Sequence, residues 1–225
     1  MKPLNVARSA LGAVLDRQGR EALAIANFRQ VLEVVTRSRA LAGVVVLSRD
    51  SWALAEARSY GVYTVTESGA PDRNAALMRA TLATRTFGAT ATLMLAADLP
   101  LVVPGDLEAL ARLGALGARS SRLVVASPDR FEDGTNALLM RPPGIIPYAL
   151  GPGSFKRHQA LARAAGAAFQ VWQSPGLSTD VDTTDDLSRY LALAEQLGQP
   201  VACPVCWSWR PARDGAARRV YRYAM

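Results

Sequence analysis

The feature that most constrains this chain is an alternation, kept up from end to end, between short apolar runs and longer stretches with apolar residues at helical spacing. Gly43-Val44-Val45-Val46-Leu47 has no polar face, as expected of a strand covered on both sides. Residues 62–65, 91–96, 122–126 and 168–172 read likewise as strands, and 136–140 could pair beside 122–126. Between them, 20–37 carries Leu23, Ala24, Phe28, Val31, Leu32 and Val35 on one helical face. Residues 51–60, with Ser51 as a candidate N-cap, and 72–87, 106–113, 154–165 and 184–197 complete the helices. Strand and helix alternating at this spacing imply βαβ crossovers, hence an α/β fold: a three-layer α/β/α sandwich around a mostly parallel, mixed sheet.

The chain has 225 residues, half of them hydrophobic and a fifth charged, which suits a packed domain and argues against disorder. No apolar run approaches the roughly 20 residues of a membrane span, and the first residues have no apolar signal core. Two cysteines, Cys203 and Cys206, cannot build a disulfide framework and make half a zinc site at best. A cytoplasmic protein with no membrane partner is expected. The pattern degrades past Gly198, so 1–198 is taken as the domain and 199–225 as a basic tail. A net charge of +7 suits nucleic acid or small polyanions equally. Outside Arg210, Arg213, Arg218, Arg219 and Arg222 the arginines are dispersed, which favours small polyanions and a solvated tail.

In open α/β sheets ligands collect at the carboxyl ends of the strands, which directs attention to four segments. Ala96-Ala97-Asp98-Leu99-Pro100 ends an apolar run in one carboxylate, either a ligand for a hard cation or a turn cap. Asp180-Val181-Asp182 puts two carboxylates on one side of an extended segment, a repulsion that Mg2+ between them would relieve. Asp182 or Thr183 could instead cap the helix that follows, with Asp185 and Asp186 favouring its N-terminus. In Asp133-Gly134-Thr135-Asn136, Gly134 allows close backbone approach and Thr135 offers a hydroxyl to phosphate, although a plain turn would look the same. Gly151-Pro152-Gly153-Ser154 leads into a helix whose first turn carries Ser154, Lys156 and Arg157, the makings of an anion site or an ordinary cap. His158 is the single histidine, and a lone helical histidine is more often structural. There is no P-loop and no Ser-His-Asp arrangement.

Taken together, KPLNVARSAL (2–11), AADLPL (96–101), VVASPDRFEDGTNALLM (124–140), GPGSFKRH (151–158) and DVDTTDDL (180–187) resemble the guanylyltransferases of coenzyme F-420 biosynthesis. That family is similar to the wider molybdenum-cofactor guanylyltransferase-like nucleotidyltransferases. The resemblance implies a Rossmann-like fold of the nucleotide-diphospho-sugar transferase type and guanylyl transfer from GTP to a small phosphorylated acid. The acceptors it implies are 2-phospho-L-lactate, phosphoenolpyruvate and 3-phospho-D-glycerate, with pyrophosphate released. It implies Mg2+ on Asp98, Asp180 and Asp182. It puts Lys2, Thr135, Gly151 and Ser154 at the acceptor, and Arg8, Asn74 and Asp98 at the nucleotide, with Asp98, Asp180 and Lys2 central to the chemistry. A sugar-phosphate or molybdopterin transferase, and a catalytically degenerate GTP-binding homologue, are the alternatives; a homodimer is left open. Two departures stand out. The family's first strand, just before the position of Lys2 and central in the sheet, is not in this sequence, so a sheet short of it is expected. Ala10 stands where the family has a basic residue, and Arg8 replaces its usual lysine.

Overall fold

A computed structural model of the chain describes residues 9–67, 69, 72–116, 121–201 and 203. Four of the longer helices begin where a side-chain oxygen serves otherwise free N–H groups. Asp16 caps α1 (Arg17–Arg37), Asp50 caps α2 (Ser51–Ser59), Asp72 caps α3 (Arg73–Thr84) and Thr183 caps α7 (Thr184–Gln196). The cap of α2 is therefore Asp50, one residue ahead of the Ser51 expected, because its carboxylate accepts from both Trp52 N and Ala53 N. Helices α4 (Pro104–Leu116), α5 (Ser154–Ala164) and the one-turn α6 (Pro175–Ser178) complete the set. No helix among the described residues is long and apolar enough to cross a membrane.

Strands β1 (Val45–Ser48) and β2 (Tyr63–Thr66) pair in parallel. Strands β3 (Thr92–Leu95), β4 (Leu123–Pro128), β5 (Thr135–Arg141) and β6 (Ala168–Val171) form a second sheet in the order β3-β5-β4-β6. Strand β5 runs antiparallel to both β3 and β4, while β4 and β6 are parallel. The sheet is thus mixed, with one reversed strand, and β5 does pair beside β4.

Side-chain alternation along β4 and β5 divides the core into two layers. Leu123 and Val125 with Ala137 and Leu139 face α1 and α4, meeting Val31, Val35, Leu107 and Leu110. Val124 and Ala126 with Leu138 and Met140 face the other way, onto Phe155 and Ala162 of α5 and Leu77 and Met78 of α3. This is the three-layer sandwich that the alternation implied.

Among the described residues no strand joins β1 to β3. Both pieces still lean on α1, whose Phe28 and Leu32 share a cluster with Val46 and Ala97. The break has a cost in burial: Val45 is 42% exposed, whereas β4 is buried throughout. At the other end, Val201 and Cys203, assigned to the tail, pack with Leu11, Leu15 and Tyr190. Apolar contact with the body therefore continues past residue 198. Cys206 and the arginines from Arg210 onward lie outside the described residues.

Candidate active site

Because β5 runs against β3, the first residues of β5 lie beside the last of β3. The amide of Ala96 donates to Asn136 O at 2.7 Å. Two residues on, Asp98 leaves the strand, and buried Asn27 of α1 donates to its carbonyl at 3.4 Å. The DVD segment reaches the same rim from the opposite direction. Asn136 Nδ2 donates to Leu177 O at 3.0 Å and to Asp180 Oδ1 at 3.4 Å, tying the start of β5 to the acidic loop. Asp180 is consequently half-buried, and its carboxyl is pushed up to about 6. Burial is the main cause; the neighbouring carboxylates of Asp98 and Asp182 add to it, against the pull of Asn136. The fold therefore brings Asp98 and Asp180 within electrostatic reach across more than eighty residues of sequence, with Asp182 exposed beside them.

Among the described residues no three acidic, cysteine or histidine side chains close into a ready-made cation cage. What the rim offers is mutually repelling carboxylate oxygens and no soft ligand. That donor chemistry suits Mg2+, which binds through one or two carboxylates and completes its shell with water and substrate phosphates. Asp185 and Asp186 serve structure instead. Thr183 and Asp186 form a reciprocal capping box on α7, and Arg130 bridges to Asp185 and, at 2.9 Å, to Asp186.

Beside the acidic rim, two loops are locked together. Asp129 accepts from the amides of Phe131, Asp133 and Gly134, folding the DRFEDG segment around its carboxylate. A Cβ on Gly134 would lie 2.7 Å from Asp129 Oδ2, so the glycine is needed for this closure. Asp133 then accepts from Gly153 N through its side chain and from Phe155 N through its carbonyl, fastening the first loop to the start of α5. Arg157 donates to the carbonyls of Ala149, Gly151 and Pro152, holding the Gly-Pro-Gly turn in which Gly151 has φ 122°. Within this frame Thr135 and Ser154 meet, Oγ to Oγ at 3.1 Å, and Thr135 Oγ1 lies 3.0 Å from His158 Nδ1.

Thr135, Gly151 and Ser154 are thus brought together, next to the Asp98–Asp180 rim through the Thr135-Asn136 dipeptide. Asn74, expected at the nucleotide, lies against the Gly151 loop. Both ends of its amide are spent on Leu150, accepting from its N–H at 2.9 Å and donating to its carbonyl at 3.4 Å. In the described arrangement it supports the Gly151 loop. Lys2 and Arg8 lie outside the described residues, while Ala10 is exposed in the short helix Ser9–Ala13.

Several residues that hold this rim and its loops together were not assigned that part from the sequence. Asn27 and Asn136 look like any polar residue on a buried element, and nothing local marks them. Asp129 could have been found from its place ahead of a glycine turn. His158 could have been found from its spacing: four residues past Ser154, it shares that residue's face of α5.

Residues 1–196 match the family model described as "Guanylyl transferase CofC like". The chain belongs to this family. Two relatives named phosphoenolpyruvate guanylyltransferase support the assignment. The protein of Rubrobacter xylanophilus is 40% identical over 189 residues, covering 84% of this chain and 89% of its own. That of Conexibacter woesei is 37% identical, covering 83% and 82%. In fold, this CofC-like protein resembles a putative nucleotide-diphospho-sugar transferase from Desulfovibrio desulfuricans, with a TM-score of 0.65 at 16% identity over 86% of this chain and 83% of that one. It also resembles CMP:2-keto-3-deoxy-manno-octonic acid synthetase complexed with CTP, with a TM-score of 0.54 at 13% identity over 76% and 88% of the two chains. The CofC-like chain is accordingly an enzyme of the nucleotidyltransferase class.

Proposed function

We propose that this enzyme transfers the guanylyl group of GTP to the phosphate of a small phosphorylated acid, with Mg2+ held by Asp98 and Asp180. An acceptor phosphate oxygen attacks the α-phosphorus in line, the bond to the bridging oxygen breaks, and pyrophosphate leaves. Both reactants are anions, so the protein's task is positioning and charge management; no covalent intermediate is required. When bound, the metal would neutralise phosphate charge between the two carboxylates. The hydroxyls of Thr135 and Ser154, with the backbone around Gly151, would hold the acceptor's oxyanions. Phosphoenolpyruvate is the first acceptor to try, because relatives at up to 40% identity carry it in their names. 2-Phospho-L-lactate and 3-phospho-D-glycerate follow from the family resemblance. The product would serve coenzyme F-420 biosynthesis.

The observation that carries this reading is the meeting of Asp98 and Asp180 at a rim shared with Thr135 and Ser154. Pyrophosphate release from GTP and Mg2+, measured with each acceptor in turn, tests it. Release should require an acceptor and should fall on the order of a hundredfold or more in Asp98→Asn and Asp180→Asn. No release with any of the three acceptors would overturn it. Ala10 motivates one other reading, a homologue that binds GTP without turnover; there, GTP would bind tightly and Asp98→Asn would leave that binding unchanged.

A further inference from the structure

The hydrogen bonds around His158 form a closed count, and one hydroxyl hydrogen is left over. The imidazole is fully buried, and both of its nitrogens are engaged. Ala149 N–H points at Nε2 from 3.0 Å, and a backbone amide can only donate, so Nε2 must be the bare, accepting nitrogen. The neutral ring then carries its proton on Nδ1 and donates it to Thr135 Oγ1 at 3.0 Å. Burial, and after it the adjacent Arg157 guanidinium, push His158 down to about 4, so the ring stays neutral at ordinary pH.

Thr135 and Ser154 bring two hydroxyl hydrogens. Their mutual contact at 3.1 Å uses one of them, and His158 uses neither, because it is itself a donor. One hydrogen of the pair is therefore without a protein acceptor in these contacts. Ser154 is 1% exposed and Thr135 8%, so the hydrogen can meet a ligand more readily through Thr135. With one lone pair taken by His158 and the other by Ser154, the Thr135 hydroxyl has only donation left to offer. The opposite tautomer would have accepted the Thr135 hydrogen and left the pair with nothing to give.

We propose that His158 is a positioning residue, fixing the Thr135 hydroxyl as a donor to an oxyanion of the acceptor acid. This rests on the acceptor site read above, and the same arrangement turns away a substrate that presents an ammonium there. The oxyanion belongs to the acceptor's carboxylate or to its phosphate.

His158 is the single histidine of the sequence, so tag-free protein labelled with 15N-histidine gives one imidazole to observe by NMR. The expected spectrum at neutral pH has protonated Nδ1 and bare Nε2; protonation on Nε2, or an imidazolium, overturns the proposal. Kinetics with GTP and phosphoenolpyruvate test the consequence. In His158→Asn the amide nitrogen can take the place of Nδ1–H and keep the donor to Thr135. In His158→Gln the amide can serve Ala149 but no longer Thr135. The acceptor KM should stay within about threefold of wild type in the first and rise on the order of tenfold in the second, the worth of one hydrogen bond to an anion. The GTP KM should be unmoved in both. Equal acceptor KM values in the two variants overturn the role of His158. An unchanged acceptor KM in Thr135→Val overturns the acceptor site itself, which separates the two failures. With ethyl phosphate, which has no carboxylate, the His158→Gln penalty persists if phosphate takes the hydrogen and vanishes if carboxylate does.

Discussion

In the proposed site, Asp180 concentrates a conflict between stability and function. Its carboxyl is raised to about 6 by burial and by Asp98 and Asp182, so the folded protein binds that proton more tightly than the unfolded chain does. The stabilising protonation is fully present below the ordinary value of 3.8 and is lost as pH rises through about 6. At pH 7.5 without divalent metal, Asp180→Asn should therefore stabilise the protein by about 1–2 kcal/mol, after allowance for partial exposure. The gain should shrink toward zero at pH 4. Urea unfolding of both forms at the two pH values checks it; equal stability at pH 7.5 would mean that the carboxylate is relaxed in the absence of metal. His158 acts with the opposite sign. Its lowered value makes the folded state resist protonation, so stability is held above about 6.5 and declines as pH falls through about 4. His158→Asn should flatten that decline. The sequence revealed Asp98 and Asp180 because strand ends and paired acids are local patterns. It left the part played by His158 unread, because a tautomer depends on Ala149 and Thr135, which only the fold brings to the ring.

At the scale of elements, the loops around Thr135 and Ser154 are held by acidic side chains acting on backbone N–H groups. Asp129 takes three amides and Asp133 one, so the DRFEDGTN and GPGSF segments behave as one unit. Asp129→Ala frees three donors at once and should cost about 1–3 kcal/mol in thermal or urea unfolding. It should also raise the acceptor KM while sparing that for GTP. A variant with wild-type acceptor KM would show that the two segments do not depend on each other. Thr183 and Asp186 do similar work on α7, where the capping box fixes the residues just after Asp182. The one-turn α6 was not read, whereas the positions of the six longer helices were legible from periodicity and came within a turn of those observed. Caps and inter-loop ties were less so, since Asp50 and Ser51, or Asp182 and Thr183, compete as caps until geometry decides.

For the whole molecule, the alternation of strands and helices was enough to forecast the three layers, because a strand apolar on both faces demands helices on both. The reversal of β5 was not forecast: an apolar run reads the same in either direction. The divided sheet has a measurable consequence. Strands β4 and β5 are each paired on both sides, whereas among the described residues β1 is paired only to β2 and β3 only to β5. Amide hydrogen exchange should therefore be fast in β1 and β3 relative to β4 and β5, by tenfold or more. Equal protection would show that the outer edges of β1 and β3 are covered in solution.

In the proposed site Asp98 and Asp180, distant in sequence, hold one divalent ion together with the triphosphate. The direct measurement is Mn2+ binding by electron paramagnetic resonance in the presence of a non-hydrolysable GTP analogue. Wild-type protein should bind one ion tightly in the ternary complex, and Asp98→Asn and Asp180→Asn should each lose it while still folding. Retention of that ion at wild-type affinity in both variants would show that these two carboxylates do not hold it.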